Sequence, residues 1–321
     1  MKKNIAKQNN IDPKKQLSLY GYNNYFFLLK NLLINKKLPN SIMLSGPKGI
    51  GKATFAYHFI NSILSKNEDN EYSSENFIID HNNSTYNKIL ANTHTNFYQI
   101  ANSKNDQVKI EQIRSLLKFL SKTTYTRDIK LILIDNFENL NVNSINALLK
   151  AIEEPNSNTY FIIIHNSNCK ISETIKSRCV EFKINFSLKE KKKIFKKLLQ
   201  DFNLDSNFDL FNENLYFDTP GNLLNYISLL NESDINEEKD IFFYISFFLE
   251  GYLNKKDTFF LDCATLFIQK FYNDLCHKNS NNFTNYFTNY SKILHELDYS
   301  KKYNLNYKNT LIKVKDILNN E

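Results

Sequence analysis

The sequence predicts an α/β fold, a parallel sheet flanked by helices, followed by a helical C-terminal part. Three observations lead there. Short apolar runs (Ser41 to Ser45, Leu131 to Ile134, Phe161 to Ile164) alternate with segments of helical period, the pattern of strands buried on both faces. A glycine-rich loop, Gly46-Pro47-Lys48-Gly49-Ile50-Gly51-Lys52-Ala53-Thr54, joins the first run to one such segment. From Ile235 onward the chain is aromatic and helical in period, with a break near Asn279 to Asn282.

Composition bounds the function classes. At 321 residues, 42% hydrophobic and 23% charged, the chain has room for two or three domains with cores of their own. Six glycines and five prolines are too few for an all-β fold rich in tight turns. The net charge of +7 suits nucleic acid or an acidic protein partner without selecting either. Cys169, Cys179, Cys263 and Cys276 form no C-x-x-C pair, which predicts neither a disulfide framework nor a zinc knuckle. The first sixteen residues are polar and basic, read as a mobile arm without a secretory core. The run from Ile241 to Leu249 is far shorter than the ~20 residues that span a bilayer. No membrane contact and a reduced, cytoplasmic setting are expected.

Along the chain, Tyr25, Phe26, Leu28, Leu29, Leu32 and Leu33 predict a helix within Tyr22 to Lys37, which Pro39 stops. Ser41 to Ser45 is a buried strand, and Phe55, Phe59, Ile60 and Ile63 mark the helix after the loop. Strand, glycine loop, helix is the setting a phosphate loop requires: inward backbone N–H groups, a helix N-terminus, and the Lys52 ammonium. The position after the lysine carries Ala53 where a magnesium-binding hydroxyl belongs, and Thr54 comes one residue late, turned by about 100°. Residues 66–95 read as an Asn- and Ser-rich surface excursion, with a strand at Phe77 to Asp80. Phe97 to Ile100 is another candidate strand, and Val108 to Leu120 an amphipathic helix striped by Ile110, Ile113, Leu116, Leu117 and Leu120. Asp135 ends an apolar strand, which sets its carboxylate at the sheet edge beside the loop. The next residue is Asn136, which has no basicity, and the nearest acid is Glu138.

Asn146-Ala147-Leu148-Leu149-Lys150 through Glu153-Glu154-Pro155, then Phe161 to Ile164, then Thr174-Ile175-Lys176-Ser177-Arg178-Cys179, resembles the bacterial clamp-loader AAA+ subunits of DNA polymerase III. These are the gamma/tau and delta-prime types, and the degenerate loop is closer to delta-prime. The resemblance runs from about Leu19 to Cys179. It implies an AAA+ P-loop domain (residues 1–184), a small helical lid (185–232) and an all-α collar (233–321). It also implies a five-subunit ring of gamma/tau, delta and delta-prime chains that loads a sliding clamp onto primer–template DNA. Arg178 matches the arginine that such subunits extend into a neighbour's ATP site. A guanidinium suits that task, being always charged and presenting a fork of donors.

Gly46, Gly49, Gly51, Lys52, Ala53, Thr54 and Asp135 form the degenerate nucleotide-binding set, so ATP and magnesium are weak expectations for the chain's own site. The family's zinc module is not expected, because no cysteine lies between Lys52 and Asp135. The family's sensor-2 arginine is missing from Thr219-Pro220-Gly221-Asn222-Leu223-Leu224. Three nucleotide-handling positions are lost while the arginine that serves a neighbour is kept. That pattern predicts a stator without ATPase activity of its own; the competing class is a gamma/tau-like motor ATPase. The Ser-Arg-Cys and Leu-Leu-Lys segments argue against an unrelated P-loop kinase. The lysines around Ile194, Phe195, Leu198 and Leu199 read as a solvated helix face, with the DNA backbone as the other use.

Overall fold

The structure, a computed structural model, describes residues 11–100, 108, 110–121, 129–204, 218–232, 240–255, 258–303 and 307–319. The chain divides into two compact units, Met1–Asp205 with Tyr216–Asn225, and Ser206–Leu215 with Tyr226–Glu321.

The first unit is an α/β layer structure. Its elements in order are α1 (Asn23–Ile34), β1 (Ser41–Gly46), α2 (Lys52–Leu64), α3 (Ser84–Leu90), β2 (Phe97–Ile100), α4 (Ile110–Ser121) and β3 (Lys130–Ile134). Next come α5 (Val142–Glu153), β4 (Thr159–Asn166), α6 (Glu173–Lys176), β5 (Val180–Lys183), α7 (Leu188–Asp201) and the first turn of α8 (Pro220–Glu232). The five strands are all parallel, in the order β2-β3-β4-β1-β5. This is the α/β class with a helix-flanked parallel sheet that the sequence predicts, and the glycine loop follows its β1 strand.

Side chains on successive strand residues point to opposite faces, so each strand feeds two cores. Ile42, Leu44, Leu131, Leu133, Ile162 and Ile164 pack with Phe26, Phe55 and Phe59 from α1 and α2. Met43, Ile132, Ile134, Phe161 and Ile163 pack with Ile113, Leu116 and Leu148 from α4 and α5. Every residue of β1 and β3 is buried, which is why these runs carry no polar alternation.

Three local expectations change. Phe77 to Asp80 is not a strand: Phe77 sits at φ 56°, and the segment makes only single bridges from Ile78 to Ser18 and Ser73. Residues 66–95 are not a solvated excursion, since Tyr72, Phe77, Ile79, Tyr86 and Ile89 are core and α3 lies within the stretch. A buried amide pair holds it, Asn61 Nδ2 donating to Asn83 Oδ1 at 3.0 Å, while Asn83 also caps α3 by accepting from the Tyr86 N–H. Residues 11–16 are no arm: Lys14 Nζ donates to Asn92 Oδ1 at 2.7 Å, and a short 3₁₀ turn covers Pro13–Lys15. Residues 1–10 lie outside the described part.

The second unit comprises the rest of α8, α9 (Ile241–Lys255), α10 (Thr258–Lys278), α11 (Phe283–Tyr303) and α12 (Tyr307–Asn319). The expected break falls between α10 and α11, at a 3₁₀ turn over Ser280–Asn282. Residues 235–239 lie outside the described part. Most of the aromatic side chains of α9 and α10 are core rather than surface. Tyr244 stacks on Phe267 at 5.3 Å, and Phe248 meets Phe267 at 5.4 Å. Among the described residues no helix is long and apolar enough to cross a membrane.

Candidate functional site

The loop after β1 turns on glycines in the left-handed region, Gly49 at φ 78° and Gly51 at φ 100°, where a side chain would be strained. α2 then starts at Lys52, so the loop's N–H groups gather at a helix N-terminus. Lys52 is 6% exposed, and its ammonium donates to Gly46 O at 2.7 Å and Pro47 O at 2.8 Å. Burial pulls its pKa down to about 8, against the opposing pull of Glu138 and Asp135.

Asp135 stands just past the end of β3, with β4 between it and the loop strand. Burial raises its carboxyl above the usual range, and the Asn136 N–H that it accepts at 2.8 Å works the other way. Asn136 is left-handed, φ 52° and ψ 54°. Glu138 also faces the cleft, and its Oε2 accepts the N–H of Asn166 at 3.3 Å. His165 Nδ1 is 3.7 Å from the same oxygen and has no hydrogen-bond partner.

Lys52, Asp135, Asn136, Glu138 and Asn166 line a cavity of about 230 Å³. Lys48 through Thr54, Asp135, Asn136, Glu138 and Asn166 form its polar end; Leu19, Tyr20, Ile194, Leu198, Phe202 and Leu224 form its apolar end. Of the predicted nucleotide-binding set, Gly49, Gly51, Lys52, Ala53, Thr54 and Asp135 line the cavity, while Gly46 lies outside it and takes the Lys52 ammonium. Both Ala53 and Thr54 reach the wall, but Ala53 brings a methyl to the position that needs a metal-binding hydroxyl. With Lys52 turned onto its own loop and an amide at Asn136, the set is an incomplete fit for magnesium–ATP chemistry. Among the described residues no cluster of three His, Cys, Asp or Glu side chains is placed to hold a metal ion.

Sequence reasoning missed Tyr22, Asn166 and the apolar wall. Tyr22 is buried, stacks on Phe55 at 4.8 Å and donates its hydroxyl to Ile50 O at 3.1 Å. It stands one residue before α1, outside the apolar stripe, and no local motif singles it out. The sensor-2-like segment does reach the loop: Thr219 Oγ1 donates to Lys48 O at 2.8 Å, and the Gly221 N–H to Gly49 O at 2.9 Å.

Arg178 lies elsewhere. It does not line the cavity, and it sits exposed at the end of the α6 turn. Its Nε donates to Glu153, and its Nη1 to Thr174 O at 2.7 Å and Ser177 Oγ at 3.3 Å. The pair joins two segments that the sequence singled out separately, the end of α5 and the Ser-Arg-Cys turn. Neighbouring Cys179 is half-buried, and burial pushes its thiol up to about 11, so it is an inert packing residue.

A profile of the family described as DNA polymerase III, delta subunit, matches residues 22–187. The chain belongs to this clamp-loader delta-prime family. It is 29% identical over 143 residues to DNA polymerase III subunit delta' of Pseudomonas aeruginosa, covering 44% of this chain and 42% of that one. The delta' subunit of Buchnera aphidicola subsp. Schizaphis graminum is also 29% identical, over 47% of this chain and 44% of its own length. DNA polymerase III subunit tau of Bacillus subtilis is 30% identical over 53% of this chain and 29% of its own. The alignments thus span less than half the length of these curated relatives. In this clamp-loader family member both the glycine loop and the Ser177-Arg178-Cys179 turn lie inside the matched region.

Proposed function

We propose that this clamp-loader family member is a delta-prime-like stator. It assembles in the cytoplasm with gamma/tau and delta subunits, helps place a sliding clamp on primer–template DNA, and donates Arg178 to a neighbour's ATP site. In this reading residues 185–232 are the lid and 233–321 the collar. The observation that carries it is the position of Arg178, exposed and outside the chain's own cavity, while that cavity is short of catalytic parts. Ala53 offers no hydroxyl, Asn136 offers no base, and Thr219 to Leu224 offers no arginine. An arginine supplied in trans can accelerate phosphoryl transfer by about 10³–10⁵.

The test is ATP turnover by the isolated chain and by the reconstituted complex, each with and without Arg178→Ala. The isolated chain is expected to be inactive. The complex should lose at least about ten-fold in turnover on losing Arg178, a floor set well below the ~10³–10⁵ that such arginines supply. Unchanged turnover of the R178A complex would sink the donated-arginine assignment. A motor-type ATPase is the second reading, favoured by Lys52, Thr54 and Asp135 converging on one cavity. Robust turnover by the purified chain alone would select it.

A further inference from the structure

The carbonyls of the glycine loop are paired from Gly46 to Gly51 by donors of this chain. Gly46 O accepts from Lys52 Nζ and from the Ser167 N–H, Pro47 O from Lys52 Nζ, and Lys48 O from Thr219 Oγ1. Gly49 O accepts from the Gly221 N–H, Ile50 O from Tyr22 Oη, and Gly51 O from the Phe55 N–H that opens α2. Six consecutive carbonyls therefore have donors without any ligand. In a glycine-rich loop, where backbone freedom is greatest, such pairing selects one conformation.

Two of those donors come from the start of α8, and the approach there is backbone against backbone. A Cβ on Gly221 would lie 2.6 Å from Gly49 O, and one on Gly49 would lie 2.4 Å from both Thr219 Oγ1 and Asn222 Oδ1. Asp218 organises the donor side: its Oδ1 accepts from the Thr219 N–H at 2.6 Å and from Asn222 Nδ2 at 3.0 Å. Thr219 is 3% exposed, so its bond to Lys48 is shielded from competing water.

We propose that Thr219 and Gly221 form a latch that holds the phosphate loop in one conformation independently of nucleotide. The segment from Thr219 to Gly221 fastens the loop directly to the helix. Nucleotide arrival then has no loop ordering to trigger, and the first turn of α8 has no ligand-dependent position to report. This deepens the stator reading on which it rests, because it gives a physical means of keeping that cleft constant while neighbouring sites turn over.

Hydrogen exchange on the full-length chain tests it, read at the Gly221 amide, which donates to Gly49 O, and at the loop amides Lys48 to Lys52, with and without millimolar MgATP. Thr219→Val removes one buried hydrogen bond and leaves an orphaned carbonyl, and should speed exchange there by roughly three- to ten-fold. Gly221→Ala should also speed loop exchange, although alanine favours the helix by about 1 kcal/mol. Faster loop exchange with undiminished protection along α8 is the signature of lost docking rather than a lost helix. In the wild-type chain MgATP should change exchange at the Gly221 amide by less than about two-fold, since that amide already donates to Gly49 O before any ligand arrives. Unaltered loop exchange in both folded variants would overturn the latch, as would a wild-type Gly221 amide that becomes protected only when MgATP is added. Arg178→Ala lies outside these contacts and is read in the assembled complex, so failure of the latch and failure of the donated arginine are distinguishable.

Discussion

His58 is buried on α2 without a charge partner, and burial pulls its pKa down to about 4. Its Nε2 lies 3.0 Å from Gln16 O, which can only accept, so Nε2 carries the proton. Nδ1 is left to accept from Tyr72 Oη at 3.1 Å, and the neutral ring pins the segment before α1. In the unfolded chain this imidazole takes a proton near pH 6.5, while in the folded chain it resists until about 4. The unfolded state then holds more protons across that window, so stability falls as pH drops from 6.5 to 4 and this loss ends below it. The contribution is at most about 3 kcal/mol. Urea midpoints of wild type and His58→Gln measured over this range should show a shallower pH slope in the variant, whatever its starting stability. Asn136 is explained on the same footing: φ 52° suits asparagine and would strain glutamate. The backbone thus supplies a local reason for the missing base.

Elements report how far pattern reaches. α7 announces its start with Ser187 and Glu190, and the structure shows the full reciprocal cap. Ser187 Oγ accepts the Glu190 N–H at 3.3 Å, and Glu190 Oε2 accepts the Ser187 N–H at 2.8 Å. Ser187→Ala should cost about 1 kcal/mol, read as a lowered urea midpoint at unchanged slope. α4 and α5 were equally legible, since each buries a single stripe. β5 was not: its burial runs exposed, intermediate, intermediate, exposed, because it closes an edge of the sheet. α3 was hidden for a different reason. Its buried Thr85 and Tyr86 stand among asparagines and serines, and the Asn61–Asn83 bond that compensates a buried amide comes from a residue 22 positions away. No local window contains that pair.

Across the whole molecule, two units carry their own buried side chains, Phe26, Leu133 and Phe161 in one, Tyr244, Phe248 and Phe267 in the other. Leu133→Ala should cost about 2–5 kcal/mol in the sheet unit, the usual price of a cavity left by a fully buried leucine. Hydrogen exchange should register that loss at the amides of β1, β3 and β4 and leave the most protected amides of α9 and α10 unchanged, because opening free energies follow local cores. At this level two features stand apart: the cleft at the glycine loop, and an exposed Arg178 held by Glu153 outside that cleft.

Residue types and their order along the chain were enough for the strand–loop–helix, the buried sheet and the family resemblance. Each is a local signal: a run of apolar residues, a glycine spacing, a short motif. Folding alone decided that Glu153 meets Arg178, that Asn136 is left-handed, that Tyr22 props Ile50, and that Thr219 and Gly221 close on Lys48 and Gly49. Those contacts join residues up to 171 positions apart. Their energies depend on burial and alignment that exist only once the sheet has brought its loops to one edge.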